Sequence, residues 1–484
     1  MKKILYILIL LPFWGCSDFL DEVDQDKLVP EKTDHYSALL LNEFSFEYPI
    51  FKQVDFMTDN LVEDPKGLTT EKLSQKTTYT WQREIEIDEE GNELSYVNSS
   101  WERMYEDIAI ANYVIEQIDE AIGEQTEIDQ VKGEAYFVRA LSYFNLVNLY
   151  GVPYNSSSAQ SDLGVPLRND IGVEETYNRN SVAECYALIE KDITEARRLI
   201  DAGGLSKTVW HPTVATCDLL MSRVKLYQHK WDECIEYANK VTNEYGLSTI
   251  KVDQPFVSES NNEILYSYYT AAPIFSLYDN LTGKVKEFVY YSNMELINLY
   301  DNEDKRKEAF FDAIDDGTGK VNYLTLKYQK DNYTTLGFAN IRVAEAYLNR
   351  AEAYAQKGDA GNAINDIKTL HATRYSDASG VVYPSDAQEV VAFVIEERRK
   401  ELCFEDHHRW FDLRRMANRP EIKHVFTLVD NSGIKLGTET YTLLSDDLNY
   451  TLPIPLKERE NNPLIRNNER YEKIPEINEE ILIP

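Results

Sequence analysis

Between Ile395 and Arg415 the chain reads IEERRKELCFEDHHRWFDLRR, and this stretch limits the possible folds more than any other. Arg398, Arg399, Lys400, Arg409, Arg414 and Arg415 crowd into it, although the whole chain carries 83 acids against 50 bases. Val391, Val394, Ile395, Leu402, Phe404, Trp410, Phe411 and Leu413, in and beside the same stretch, supply apolar surface that calls for burial. Read as a helix, it sets Glu396 one turn before Lys400 and Glu405 one turn before Arg409, the favourable order for such pairs. A basic segment can mark an anion or nucleic-acid site. A net charge of −33, however, repels polyanions and argues against nucleic acid and against bare anionic lipid. The expectation is an internal ion-pair helix that ties acidic neighbours together and docks the last helical repeat onto the C-terminal region.

At 484 residues and 43% hydrophobic content the chain can bury a sizeable core, and repetitive helical folds run this long as one unit. Its start points to export. Lys2 and Lys3 precede an apolar run from Ile4 to Leu11, which Gly15 and Cys16 follow. That run is far short of the ~20 residues a membrane-spanning helix needs, so residues 1–15 read as a secretory signal peptide and Cys16 as the lipidated first residue of the mature protein. Residues 16–32 form a flexible, acidic, lipidated tether. Cys185, Cys217, Cys234 and Cys403 include no C-x-x-C pair, and buried free thiols are expected rather than a disulfide framework.

Two regions follow the tether, 33–250 and 251–484, expected to pack as one globular unit. A first helix is predicted from Thr33 to about Glu47. Residues 50–100 are acidic, aromatic and irregular, which predicts a long loop of the functional kind. From Trp101 the helical period is strong, through Tyr105, Ile108, Asn112 and Ile115, and again from about Ile128 to Tyr150 before Gly151 and Pro153. A loop-type insertion at 152–180 leads to Ser181 as the cap of a helix reaching about Ile200. Leu348-x-x-Ala351-x-x-Tyr354, then Gly358-Asp359 and Ala363-Ile364, matches a tetratricopeptide helix pair, and Met221 to Ile235 fits the template more loosely. The 101–200 region would be a third pair. Ile264–Tyr269, Phe288–Tyr291 and Tyr323–Tyr328 predict short strands, and few helical signals follow Met416. The fold class is therefore mainly α, helical pairs with long loops and a few short strands.

The chain contains no G-x-S-x-G, H-E-x-x-H, phosphate-binding glycine loop or metal-spaced Cys/His set, so no catalytic residue and no cofactor are expected. His407 and His408, adjacent on a helix, would point about 100° apart and cannot chelate as a pair. Asp312 to Gly319 is an acidic turn whose spacing does not match an EF-hand. What remains is a binding surface. Aromatic rings and polar side chains on loops held by a rigid scaffold suit a sugar, whose faces are apolar and whose edges are hydroxyls. Asp59, Trp81, Arg83, Tyr96 and Asn98 in the first irregular stretch, and Tyr278, Tyr290 and Tyr291 in the second, are the candidate ligand contacts.

Taken together, Cys16 with Phe19-Leu20-Asp21, Trp101-x3-Tyr105-x2-Ile108-x3-Asn112, Arg139-Ala140-x2-Tyr143, the ERRKELCFEDHHRWFDLRR run and the closing LPIPLKERENNPLIRNNERY resemble the SusD/RagB family of outer-membrane nutrient-binding lipoproteins. The likeness covers nearly the whole mature chain. It departs from the family at Asp406-His407-His408, where glycine is commoner, and this should alter a helix end. The resemblance implies a surface-exposed lipoprotein of the outer membrane that captures an oligosaccharide or polysaccharide and passes it to a SusC-like TonB-dependent transporter. It also implies that helical pairs face the transporter while loops carry ligand. A peptide-capturing member and a lipid-anchored helical-repeat protein-binding scaffold are the alternatives.

Overall fold

Helix starts in this protein are set by short polar side chains. Ser181 accepts a hydrogen bond from the Glu184 amide while Glu184 reaches back to the Ser181 amide, and Thr213 and Thr216 close the same reciprocal box one helix later. The computed structural model describes residues 30–45, 51–65, 70–88, 90–94, 99–169, 171, 177–206, 208–268, 290–315, 319–325, 327, 336, 339–430 and 434–479. Within them the helices are α1 (Thr33–Ser45), α2 (Thr70–Tyr79), α3 (Ser99–Gln117), α4 (Gln125–Tyr150), α5 (Val182–Gly203), α6 (Val214–Tyr227), α7 (Trp231–Glu244), α8 (Met294–Ile297), α9 (Arg306–Phe310), α10 (Val343–Gln356), α11 (Ala360–Arg374), α12 (Ala387–Leu402), α13 (His408–Arg415) and α14 (Leu456–Asn461). The strands are β1 (Leu61–Glu63), β2 (Ile264–Tyr268), β3 (Tyr290–Ser292), β4 (Phe311–Asp315), β5 (Val321–Thr325), β6 (Ala339–Arg342), β7 (Ile422–Val429), β8 (Lys435–Leu443) and β9 (Glu476–Glu479).

Successive helices joined by short turns form hairpins, and the hairpins stack through α5 on α6 and α7 on α10. Gly133 shows how closely α4 approaches α5: a Cβ there would lie 2.8 Å from Ile200 Cγ1 and 3.0 Å from the Ala196 carbonyl. One apolar core runs from Tyr36 and Leu40 of α1 to Ile454 and Ile465 near the C-terminus. A smaller one lies between α10, α11 and α12, around Leu348, Ile367, Val390 and Val394. The strands are accessory: β1 pairs with β3, β2 with β6 and β4 with β5, all antiparallel, and β7-β8-β9 make a three-stranded sheet. All four described cysteines are buried and free. No helix among the described residues is long and apolar enough to cross a membrane.

Two expectations change. The 50–100 region is not a single loop, because it contains α2, whose Lys72, Gln75, Lys76, Thr77 and Thr78 are buried and leave no apolar period to read. The Ile395–Arg415 stretch is not one helix either. The chain turns between α12 and α13, with Phe404, Asp406 and His407 at φ of 57°, 40° and 62°, the left-handed region that favours glycine. The turn takes Glu405 out of helical register with Arg409, while Glu396 and Lys400 stay within α12 without pairing directly. Lys400 meets Glu397 and Asp304 instead of Glu396, and Arg409 meets Asp59 instead of Glu405.

The stretch is nonetheless an internal ionic hub. Glu401 receives Arg306 at 3.3 Å, Arg342 at 2.7 Å and Arg374 at 2.8 Å. Glu405 receives Arg342 at 2.8 Å and Lys327 at 2.7 Å, and Glu263 receives Arg374 at 2.9 Å. With Asp304 and Glu397 facing Arg306 and Lys400, five carboxylates meet five bases. Burial alone would raise the Glu401 carboxyl, but Arg374 and Arg342 hold it well below the usual carboxylate range. The hub fastens α9, β6, α11 and the segments before β2 and after β5 to α12. On the far side of the turn, Arg398 and Arg415 share Asp412, and Arg415 also takes Glu352 of α10 at 2.5 Å.

Candidate ligand-binding site

A groove that combines aromatic rings with hydrogen-bonding side chains begins at the start of α3. Trp101 lies edge-on against Tyr150, with centroids 4.9 Å apart, and tilted against Tyr105 at 5.0 Å, so the two α3 rings form one apolar wall. The Ser100 and Tyr150 hydroxyls bond at 2.6 Å behind it. The Tyr105 hydroxyl donates to the Pro166 carbonyl at 2.7 Å and so ties the 152–180 segment to α3. Deeper in, Asp192 holds Arg139 by two bonds of 2.7 and 2.8 Å, Arg139 donates to Asn112 at 2.8 Å, and Asn112 donates to the Arg168 carbonyl at 3.1 Å. Tyr143 brackets the Arg168 backbone from the other side, donating to its carbonyl and accepting from its amide.

This scaffold leaves the Arg168 guanidinium over the Tyr177 ring, 4.9 Å from its centroid. The opposite wall comes from the tail: Pro455, Lys457, Glu458, Asn461 and Asn462. Asn462 donates to the Tyr177 carbonyl at 2.9 Å and to Glu458 at 3.0 Å, and Lys457 bridges to Glu102 at 3.2 Å. The groove has a volume of 460 Å³, within the range of small-ligand sites. Chemically it offers tyrosine and tryptophan rings, exposed Glu102 and Glu106, and amide donors, a set that suits a ring with one apolar face and several hydroxyls.

The residues singled out in the sequence sit elsewhere. Trp81 is fully buried; its indole N–H donates to the Met57 carbonyl at 2.8 Å and its ring stacks on His424 at 4.2 Å, with Tyr79 on the same imidazole at 4.1 Å. Both His424 nitrogens face backbone carbonyls, of Tyr79 at 2.7 Å and Thr58 at 3.0 Å, and burial lowers its pKa to about 4. Tyr290 is buried edge-on against Phe56 and Tyr79, and Tyr291 is buried beside it, held by β3 pairing with β1. Asp59 is buried under Arg409, which donates twice at 2.6 and 2.7 Å, and under Arg399. Burial would raise its carboxyl, yet Arg409 and Arg399 bring it down to about 2. These four residues are brought together, but as core, because an indole or phenol ring that finds a polar partner inside is better placed there than on a loop. Of the predicted contacts that are described, only Arg83 is exposed. Tyr96, Asn98, Tyr278 and Cys16 lie outside the described residues.

Arg168, Tyr177 and Asn462 were not among the predicted ligand contacts. The signal that could have found them is the polar tail LPIPLKERENNP, too ordered in pattern for a mere terminus, together with aromatics inside the 152–180 insertion. Asp312 and Asp315 lie on β4, while residues 316–318 of the acidic turn lie outside the described residues. His407 and His408 are buried side chains whose pKa values burial and Arg223 push well below the usual histidine value.

Comparison with known proteins now bears on the fold. A family model described as "Starch-binding associating with outer membrane" matches residues 18–226, and the SusD family model matches residues 318–471. The chain belongs to the SusD/RagB family. SusD-like protein P2 of Formosa agariphila is 22% identical over 97% of this chain and 99% of its own length, and SusD-like protein P38 of the same organism is 24% identical over 66% and 73%. Among solved structures, a SusD-like carbohydrate binding protein from Bacteroides vulgatus superposes with a TM-score of 0.69 at 20% identity, covering 90% of this chain and 97% of that one. A SusD superfamily protein from Bacteroides thetaiotaomicron gives 0.69 at 21% identity, covering 91% and 100%. The mainly helical SusD-like fold is thereby established for this SusD/RagB protein.

Proposed function

We propose that this SusD/RagB protein is a non-enzymatic saccharide-binding lipoprotein, anchored through Cys16 to the outer membrane and facing outward. It captures oligosaccharide and passes it to a SusC-like TonB-dependent transporter. The observation that carries the reading is the groove in which Trp101, Tyr105 and Tyr177 stand opposite Glu458, Asn461 and Asn462. The name of the B. vulgatus structural neighbour, a carbohydrate binding protein, and the description of the matching family model support it. The handover is consistent with stacked tetratricopeptide-like hairpins, which leave helical surface for a partner while the groove sits at an insertion and the tail.

Calorimetry of the purified chain against a neutral glycan panel tests the reading. At least one oligosaccharide should bind, and Tyr177→Ala, whose ring is half-exposed, should weaken it at least tenfold without changing the thermal midpoint. Binding of a peptide mixture with no response to any glycan would select the peptide-capturing alternative. Co-purification of a large β-barrel with no ligand at all would select the scaffold.

A further inference from the structure

A second cleft, of 730 Å³, lies between residues 152–163, the end of α13, the turn at 446–451 and residues 466–469. Arg414, only 2% exposed, lines it. Its Nη2 donates to two neutral oxygens, the Gly151 carbonyl at 2.5 Å and the Thr451 hydroxyl at 3.4 Å, and its buried Nε donates to nothing. Arg419, half-buried beside it, gives its Nη atoms to the Ser445 and Arg414 carbonyls and likewise has a buried Nε without a partner. Tyr450, whose ring lies 4.7 Å from the Arg419 guanidinium, has a buried hydroxyl without a partner in the same cleft.

Three unspent buried donors belong to residues that line one cleft, and such donors call for an acceptor. An unpaired buried donor of this kind costs about 1–3 kcal/mol, more when charged. The fold handles its other acid-free buried arginines differently. Arg470 is surrounded by the carbonyls of Trp81, Gln82, Arg83, Asn449 and Thr451, and Arg179 by those of Gly164, Leu163, Tyr150 and Arg466. Arg414 and Arg419 meet no carboxylate among the described residues, and burial together with the neighbouring Arg419 charge lowers the Arg414 pKa to about 9. The cleft's own acids do not answer this. Asp447 is taken by Lys473, Asp162 accepts from Ser158 at 2.6 Å, and Asp446 and Glu469 are exposed at the rim, where solvent screens them. Arg415 is already committed to Glu352 and Asp412.

We propose that this cleft binds an oxyanion, a carboxylate or sulfate group carried on an acidic saccharide, with the Nε–H groups of Arg414 and Arg419 as charged donors and the Tyr450 hydroxyl as a third. A hydrogen bond from a guanidinium N–H to a carboxylate or sulfate oxygen is roughly twice as strong as one between neutral groups. The volume is that of a saccharide site rather than an ion site, and Asn155 and Asn467 add polar groups along the wall. The choice of a saccharide as carrier rests on the proposed function; the anion site does not.

The test is titration calorimetry on the full chain with a glucuronate-terminated disaccharide, a sulfated disaccharide, the neutral disaccharide of the same linkage, and inorganic sulfate. At least one acidic disaccharide should bind tenfold or more tighter than the neutral one, weaken as salt rises, and lose that advantage in Arg419→Gln. Because Arg414 is buried and its removal could perturb folding, Arg419→Gln is the deciding variant, with an unchanged thermal midpoint as control. No preference for either acidic disaccharide, or a preference that survives Arg419→Gln, overturns the proposal. Inorganic sulfate binding as tightly as the acidic disaccharides overturns its saccharide part. The two readings separate, since Tyr177→Ala should weaken neutral-glycan binding in the groove at least tenfold and leave the acid preference in the cleft.

Discussion

Arg342 and Arg414 are equally hidden from solvent, yet their surroundings are opposites. Arg342, at the end of β6, spends its guanidinium on Glu405, Glu401 and the Glu401 carbonyl, and its charge is reinforced well above the ordinary arginine value. Arg414, at the end of α13, finds a carbonyl and a hydroxyl and keeps one donor idle. Desolvating a charge is repaid only where the partners are charged and well placed. The first arginine therefore belongs to the scaffold, and the second carries the proposed anion site. The 395–415 stretch supplies Glu401 and Glu405 to the first arginine and carries the second.

The sharpest way to break the comparison is at the hub. Glu401→Gln keeps the shape but leaves Arg306, Arg342 and Arg374 sharing one negative charge fewer in a dry interior. Removing one partner of a buried ion set costs about 3–5 kcal/mol, and chemical denaturation should show a loss of that order. A loss below about 1 kcal/mol would mean that the hub is wetter than its burial indicates.

Asp59 comes next, where the same chemistry involves one carboxylate and two arginines. Its folded pKa of about 2 lies below the ordinary value of 3.8. A depressed acid stabilises the fold fully above the unfolded value, and that contribution is lost as pH falls from about 4 towards 2. Asp59→Asn should cost about 2 kcal/mol at pH 7 and remove that share of the acid dependence. Denaturant midpoints measured at pH 7 and pH 3 would show the difference between wild type and variant shrinking at the lower pH.

These contrasts also indicate how far the sequence could be read. Ser181 with Glu184, and Gly358 at φ 81° between α10 and α11, are local signals with local causes, so the helix starts and the hairpin were legible. The internal, ion-paired character of Ile395–Arg415 was legible from its apolar content, but its partners were not. Glu405 meets Arg342 across 63 residues, and nothing near Glu405 in sequence announces it. α2 escaped notice because Lys72 and Lys76 pair with Glu63 and Glu439 in the interior and replace the apolar stripe by which a helix is recognised. The candidate site suffered most. Trp81 and Tyr290 have rings that serve a core or a ligand equally well, and only the tertiary contacts with Met57, His424 and Phe56 decide for the core.

The smallest expected effect is the one that matters most for the comparison. Arg414→Met removes a buried charge with no ionic partner and fills the space with a flexible apolar side chain of similar length. The Gly151 carbonyl loses its guanidinium donor, a cost of about 1–3 kcal/mol. Relief of the desolvated charge, visible in a pKa brought down to about 9, works against that cost, and well-packed apolar replacements of buried charges are often neutral or stabilising. The two should nearly cancel, leaving stability within about 1 kcal/mol of wild type, while Arg342→Met, in the hub, loses several kcal/mol by the same assay. If Arg414→Met proved as damaging as Arg342→Met, Arg414 would be scaffold after all. If it is neutral for folding but abolishes preference for an acidic saccharide, an arginine that stability does not require is kept for what it binds.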